Sequence, residues 1–186
     1  MSVFVIPGFI SAETCSSLND WVDQGVTEKW LDKGISRSSS WDYEKRVTTR
    51  NYADRFQYSP VVYQVFDKIT DHLGLQDIPK STAGAGKDGI VVSCTFPGGD
   101  VYPHRDPMEG NDLHVLRCNI MSRDSDAGGQ LFIGGEHIDI GVGDLHCYLP
   151  SNVEHYVTPV EGNTSRIMWM FGYKMNIPDF LKLKKI

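Results

Sequence analysis

The sequence predicts a mainly β chain with flanking N-terminal helices (α+β), built as a double-stranded β-helix, or jelly-roll barrel. Three observations predict it. Helical apolar spacing is confined to the N-terminal part of the chain. From residue 89 onward, short β-rich runs alternate with glycine pairs and polar turns. No helical pattern separates those runs, which argues against a parallel sheet and its crossover helices. At 186 residues and 40% apolar content, the chain suits one well-buried core and is short for two ordinary domains. We therefore expect one domain over 1–186, with helical support and a lid in 1–88 and the jelly-roll core in 89–174.

In chain order, Val5-Ile6-Pro7-Gly8-Phe9-Ile10 leads into a first helix. Ser11 suits its N-cap, Cys15, Leu18 and Val22 recur at helical spacing with Trp21 beside them, and Gly25 is the expected stop. A second helix starts at Ser59 and Pro60, carries the stripe Val62, Val65, Phe66, Ile69 and Leu73, and ends at Gly74. Between them, residues 33–58 are polar, charged and aromatic without a period, and read as a long loop or lid. Trp41, Tyr43, Arg50, Asn51 and Tyr52 are its candidate substrate contacts, with a plain solvated loop as the alternative. The expected strands are 89–96, 115–121, 130–133, 137–140, 145–149, 156–160 and 166–173.

Composition narrows the function. No run approaches the roughly 18 uncharged apolar residues of a membrane span, and the start lacks a basic region and a cleavage site. Cys15, Cys94, Cys118 and Cys147 form no C-x-x-C pair. A cytoplasmic protein without a membrane partner is expected. The net charge of −6 argues against a nucleic-acid groove, so a small-molecule or peptidyl substrate is expected instead.

The chemistry concentrates in His104-Arg105-Asp106, in His155, and in Arg166. Two imidazoles and one carboxylate converging on a point supply one face of an octahedron and leave three positions open, the arrangement of non-haem Fe(II) oxygenases. Arg166 adds a fixed cation on which a carboxylate can dock. Taken singly, these residues read as a surface histidine, a turn aspartate, a core histidine and a strand-end arginine paired with Glu161. Jointly they read as a reaction centre. The same ligand set would also serve a cupin-type jelly roll holding Zn, Mn or Ni for lyase or isomerase chemistry, or binding a ligand only. Strand parity puts Arg166, Met168 and Met170 on one face and Ile167, Trp169 and Phe171 on the other, which helices should cover. Arg117, Asn119 and Met121 likewise share a face. His72, His114, His137 and His146 have no spacing partner and are expected to be structural or exposed.

Over residues 90–173 the chain resembles the 2-oxoglutarate-dependent Fe(II) dioxygenases, within them the prolyl-hydroxylase-like group. The resemblance rests on an ordered series: Phe96-Pro97-Gly98-Gly99 and Tyr102, His104-x-Asp106, Gly128-Gly129-Gln130-Leu131, Gly143-Asp144, Leu149-Pro150-Ser151, His155-x-Val157-x-Pro159-Val160, and Arg166 before Trp169. It implies Fe(II) held by His104, Asp106 and His155, with 2-oxoglutarate and O2 as co-substrates and ascorbate as an auxiliary reductant. It further implies Arg166, Asn119 and Tyr102 as the co-substrate's contacts, and hydroxylation of an unactivated C–H with release of succinate and CO2. The substrate would be a free amino acid or a peptide residue such as proline. Asp106 distinguishes the pattern from the related halogenases, which lack that carboxylate. Two positions depart from the prolyl-hydroxylase pattern. Phe96 stands where many relatives have tyrosine, and Arg117-Cys118-Asn119 looks more like the Arg-x-His of aspartyl/asparaginyl β-hydroxylases. The resemblance turns Arg117 inward, where burial is costly unless an anion meets it, so Arg117 is expected to bind a carboxylate, of the substrate or of 2-oxoglutarate, with a barrel-rim ion pair to Asp106 or Glu109 as the alternative.

Overall fold

The computed structural model describes residues 3–28, 31, 46–48, 57–81 and 89–183. The proposed lid contacts Trp41, Tyr43, Arg50, Asn51 and Tyr52 lie outside the described residues.

The first helix, α1 (Ala12–Thr27), starts where Ser11 accepts a hydrogen bond from the Thr14 amide, and it buries Cys15, Leu18 and Val22. Gly25 does not stop it. That glycine is buried within the helix, where packing outweighs its weak propensity, and the chain leaves at Glu28. The second helix, α2 (Pro60–Leu73), has proline in its first turn, buries the whole expected stripe, and ends at Gly74 in the left-handed conformation (φ 63°). Ser59 holds the N-cap position, yet its hydroxyl makes no capping hydrogen bond.

Twelve strands are described, in three antiparallel sheets. The major sheet has six: β1 (Val3–Ile6), β9 (Leu145–Tyr148), β5 (His114–Arg123), β12 (Arg166–Met175), β3 (Ile90–Thr95) and β2 (Arg46–Thr48), in that spatial order. The minor sheet runs β4 (Val101–His104), β10 (His155–Val157), β7 (Leu131–Ile133), β8 (Glu136–Ile138). β6 (Ala127–Gly128) and β11 (Val160–Glu161) form a small third sheet.

Four strands, β1, β2, β4 and β6, lie outside the seven expected runs. β2 lies inside the segment read as an unstructured lid and pairs with β3 through Arg46↔Thr95. β4 contains Pro103 and has no apolar alternation, so it carries no strand signal of its own; it is recruited by pairing with β10. A third helix, α3 (Ile177–Leu183), also escaped the reading, because its 7 residues are too few for a period. It docks through Phe180, whose ring stacks on Phe4 at 6.1 Å.

The major sheet is covered on one face by the helices, as strand parity required. Trp169 lies 5.5 Å from Trp21 and 6.0 Å from Tyr58, and Phe171 lies 5.2 Å from Phe66, centroid to centroid. Ile167, Trp169 and Phe171 have no exposed surface, and each such side chain contributes about 1.5–3 kcal/mol by burial. The opposite face, carrying Arg117, Asn119, Arg166, Met168 and Met170, looks into a cleft whose other wall is the minor sheet. All four cysteines are free and buried. Among the described residues, no helix is long and apolar enough to cross a membrane.

Candidate metal centre

Antiparallel pairing of β4 with β10 sets His104 opposite His155. Their rings lie 4.3 Å apart by centroid. Asp106 follows the end of β4, where its amide donates to the Pro150 carbonyl at 3.1 Å. One ligand atom from each of His104, Asp106 and His155 then falls within 4.8 Å of the others. Such spacing is what a single cation of roughly 2 Å bond lengths requires.

The surroundings prepare these atoms as ligands. His104 Nδ1 lies 2.8 Å from the Tyr102 carbonyl oxygen and His155 Nδ1 lies 3.4 Å from that of Val153. A proton on each Nδ1 leaves each Nε2 as a bare lone pair. Burial first, and then the neighbouring His104, push the pKa of His155 down to about 4, so the ring is neutral at physiological pH. The two oxygens of Asp106 face different neighbours: Oδ1 is 3.5 Å from His104 Nε2, and Oδ2 is 3.7 Å from Arg117 Nη2. Glu109, the other carboxylate considered for Arg117, is instead paired with Lys174 at 3.1 Å.

The cleft beside these ligands is walled partly by Val101, Leu131, Val157, Met168 and Met170. Arg117, Asn119 and Arg166 all line it. Arg166 is 4% exposed and its Nε has no hydrogen-bond partner among the described residues, so it is not the surface partner of Glu161 that sequence alone allowed. Burial draws its pKa down to about 10, against the opposing pull of Asp124 and Tyr148; it remains a cation. The Gly-Gly turn is what admits it. Gly129 has φ +62°, and a Cβ there would meet Arg166 Cδ at 3.1 Å and Ser125 Oγ at 2.5 Å. Arg117 is accommodated in a similar way, since a Cβ on Gly172 would lie 3.2 Å from its Nη1.

The Tyr102 carbonyl oxygen lies 2.8 Å from His104 Nδ1, and the Tyr102 ring packs 5.2 Å from the His104 ring. His146 is 1% exposed and lines the cleft, with Nε2 at 3.2 Å from Asn119 Nδ2. His114, by contrast, is a buried structural residue bonded to Ser151. Sequence reasoning also missed Tyr148 and Arg46, both in the cleft wall. For His146 and Tyr148 a signal existed: they alternate with Leu145 and Cys147 along β9, which puts both on the face shared with Arg117 and Asn119.

No family model matches this chain, and no curated protein matches it. Solved structures do. A viral collagen prolyl hydroxylase from Paramecium bursaria Chlorella virus 1, in its 2-oxoglutarate complex, superposes with TM-score 0.62 at 16% identity, covering 95% of this chain and 97% of that one. A prolyl hydroxylase from Trichoplax adhaerens, in complex with a hypoxia-inducible-factor peptide fragment, gives TM-score 0.69 at 12% identity over 97% and 86%. HygX from Streptomyces hygroscopicus, with nickel and 2-oxoglutarate bound, gives 0.63 at 11% over 92% and 82%. At these identities the likeness establishes a common fold.

Proposed function

We propose that this chain is an Fe(II)- and 2-oxoglutarate-dependent dioxygenase that hydroxylates an unactivated C–H of a small carboxylate-bearing substrate, a free amino acid or a peptide residue such as proline. The observation that carries the reading is the convergence of His104, Asp106 and His155 beside a buried arginine with an unpartnered Nε. Prolyl hydroxylases and HygX, which share the fold, support it. So does the peptide bound to one of them, which favours a peptidyl substrate within that class. On this reading the two facing sheets are the halves of a double-stranded β-helix barrel.

Iron and the keto acid, when bound, would supply the oxidising chemistry, with release of succinate and CO2. The chain's own residues supply placement. His104 and His155 would each offer a ring nitrogen to the metal, and Asp106 a carboxylate oxygen with one compensating charge. Arg166 holds the far carboxylate of 2-oxoglutarate by a charge-assisted hydrogen bond in a site that water reaches poorly. Arg117, set over Gly172 and against Asp106 Oδ2, holds the carboxylate of the substrate. Because the same guanidinium steadies the outer oxygen of Asp106, substrate binding and ligand geometry are linked through one side chain. The walls formed by Met168, Met170, Val101 and Val157 exclude bulk water from the reacting carbon.

Anaerobic titration of the Fe(II)-loaded protein with 2-oxoglutarate, followed by visible charge-transfer absorption, tests the reading. The band should appear with the unaltered protein and be lost in His104→Ala. Its absence from folded, metal-loaded protein would overturn the reading in favour of cupin-type chemistry.

A further inference from the structure

Asp106 is the one proposed metal ligand that lies outside a strand. His104 and His155 sit on β4 and β10, which pair with each other, whereas Asp106 follows β4 on the connection to β5. Apolar burial does not fix that connection. From Pro107 to Leu113 every residue but Glu109 is exposed, including Met108 at 45% and Leu113 at 38%. The backbone is nevertheless drawn into a tight hairpin. The Glu109 amide donates to the Leu113 carbonyl at 2.9 Å, and Asp112 takes φ 61°, the one left-handed non-glycine conformation among the described residues. Such a conformation costs about 1–2 kcal/mol and persists where surrounding contacts hold it.

The contact able to hold it is the Glu109 side chain. Its carboxylate is 2% exposed; Oε2 accepts from the Ser81 hydroxyl at 2.8 Å, and Oε1 pairs with Lys174 Nζ at 3.1 Å. Both partners are fixed at the end of β12. The Ser81 amide donates to the Gly172 carbonyl at 2.8 Å, and the Lys174 amide donates to that of Pro79 at 2.7 Å. Arg117 rests on the same glycine, since a Cβ on Gly172 would lie 3.0 Å from Ser81 Cβ and 3.2 Å from Arg117 Nη1. Arg117 Nη2 in turn lies 3.7 Å from Asp106 Oδ2. These contacts close a circuit: from Asp106 along the hairpin to Glu109, through Ser81 and Gly172 to Arg117, and back to Asp106. A buried ion pair adds little net stability, because desolvation offsets much of the attraction, so the use of this one lies in the arrangement it imposes.

We propose that Glu109 is a positioning residue for the metal centre: tied to Ser81 and Lys174, it fixes the hairpin that follows Asp106 and keeps that carboxylate between the metal and Arg117. The inference rests on the proposed reading of His104, Asp106 and His155 as metal ligands, and extends it to a carboxylate that binds neither metal nor substrate. Cutting the tie leaves every ligand in the chain but lets Asp106 take other orientations, so metal affinity falls while the fold remains.

The test measures Co(II) affinity, by the visible absorption of the bound ion, in the unaltered protein and in Glu109→Ala, Ser81→Ala, Asp106→Ala and Asp23→Ala. Glu109→Ala should weaken binding at least about tenfold, the loss typical of removing an outer partner of a metal ligand. Ser81→Ala, which removes one hydroxyl and leaves Lys174 in place, should weaken it about threefold. Asp23→Ala breaks the ion pair of α1 with Arg123 and should leave Co(II) affinity unchanged; an equal loss there would reduce the effect to general stability and overturn the proposal. If the unaltered protein takes up no Co(II), or Asp106→Ala binds it equally well, the metal-centre reading itself fails. If that reading holds while Glu109→Ala and Ser81→Ala bind within twofold of the unaltered protein, the positioning role fails. Where Glu109→Ala does not fold, Ser81→Ala decides, because it removes a single oxygen from the same tie.

Discussion

Acidification should destabilise this protein through His146 more than through an ordinary histidine, and the size of the effect follows from the structure. Burial first and Arg166 second depress its pKa from 6.5 to about 3 in the folded protein. Above the unfolded value neither state binds the proton, so the stability is fully present there. Below it only the unfolded chain takes up the proton, and stability falls with pH until the folded value is reached. Between about pH 7 and about pH 4.5 this linkage removes about 2.5 kcal/mol, a large share of a typical domain's margin. The assay is urea denaturation of metal-free protein across that range, for the unaltered chain and for His146→Phe. His155 and the carboxylates titrate in both proteins and drop out of the difference. His146→Phe should therefore lose about 2.5 kcal/mol less than the unaltered chain on acidification. A stability difference between the two proteins that stays constant with pH would show that His146 is not held neutral.

Three further outcomes are expected. Asp106→Ala should abolish turnover and weaken metal affinity, checked by succinate release and by metal titration; an undiminished rate would end its role as a ligand. Arg166→Ala should raise the KM for 2-oxoglutarate by at least about tenfold through loss of a charge-assisted contact, with little change in the substrate's KM; if only the substrate's KM moved, Arg166 and Arg117 would have to exchange roles. Gly129→Ala should mimic part of the Arg166 defect, because the new methyl meets Arg166 Cδ at 3.1 Å in a backbone conformation with φ +62°. Calorimetry with 2-oxoglutarate would detect that loss, and unchanged affinity would mean that Arg166 does not depend on the turn.

Much of this protein was legible in one dimension because some signals are local. Helix α2 is written in Ser59-Pro60, five apolar residues at helical spacing and Gly74, and the backbone obeys each of them. Alternation along β12 separates the residues that meet the helices from those that line the cleft, since side chains on a strand point alternately to its two faces. The ligands His104, Asp106 and His155 were also within reach, because their order and residue types are unusual enough to be recognised without knowing that β4 and β10 would pair. What local pattern cannot carry is a contact whose two halves lie far apart in sequence. β2 becomes a strand only because the edge of β3 offers it hydrogen bonds, and β4, with Pro103 inside it, becomes one only by pairing with β10. His146 shows the difference most clearly. By composition it is a lone histidine, and by tertiary placement it is a buried, neutral ring beside Asn119 in the cleft wall. The sequence by itself determined which faces are apolar and which residues can hold a metal, since those properties belong to side chains and their spacing. Only the tertiary structure decided which polar groups are left without water or partners, because burial and hydrogen-bond satisfaction are properties of neighbours brought together from distant strands.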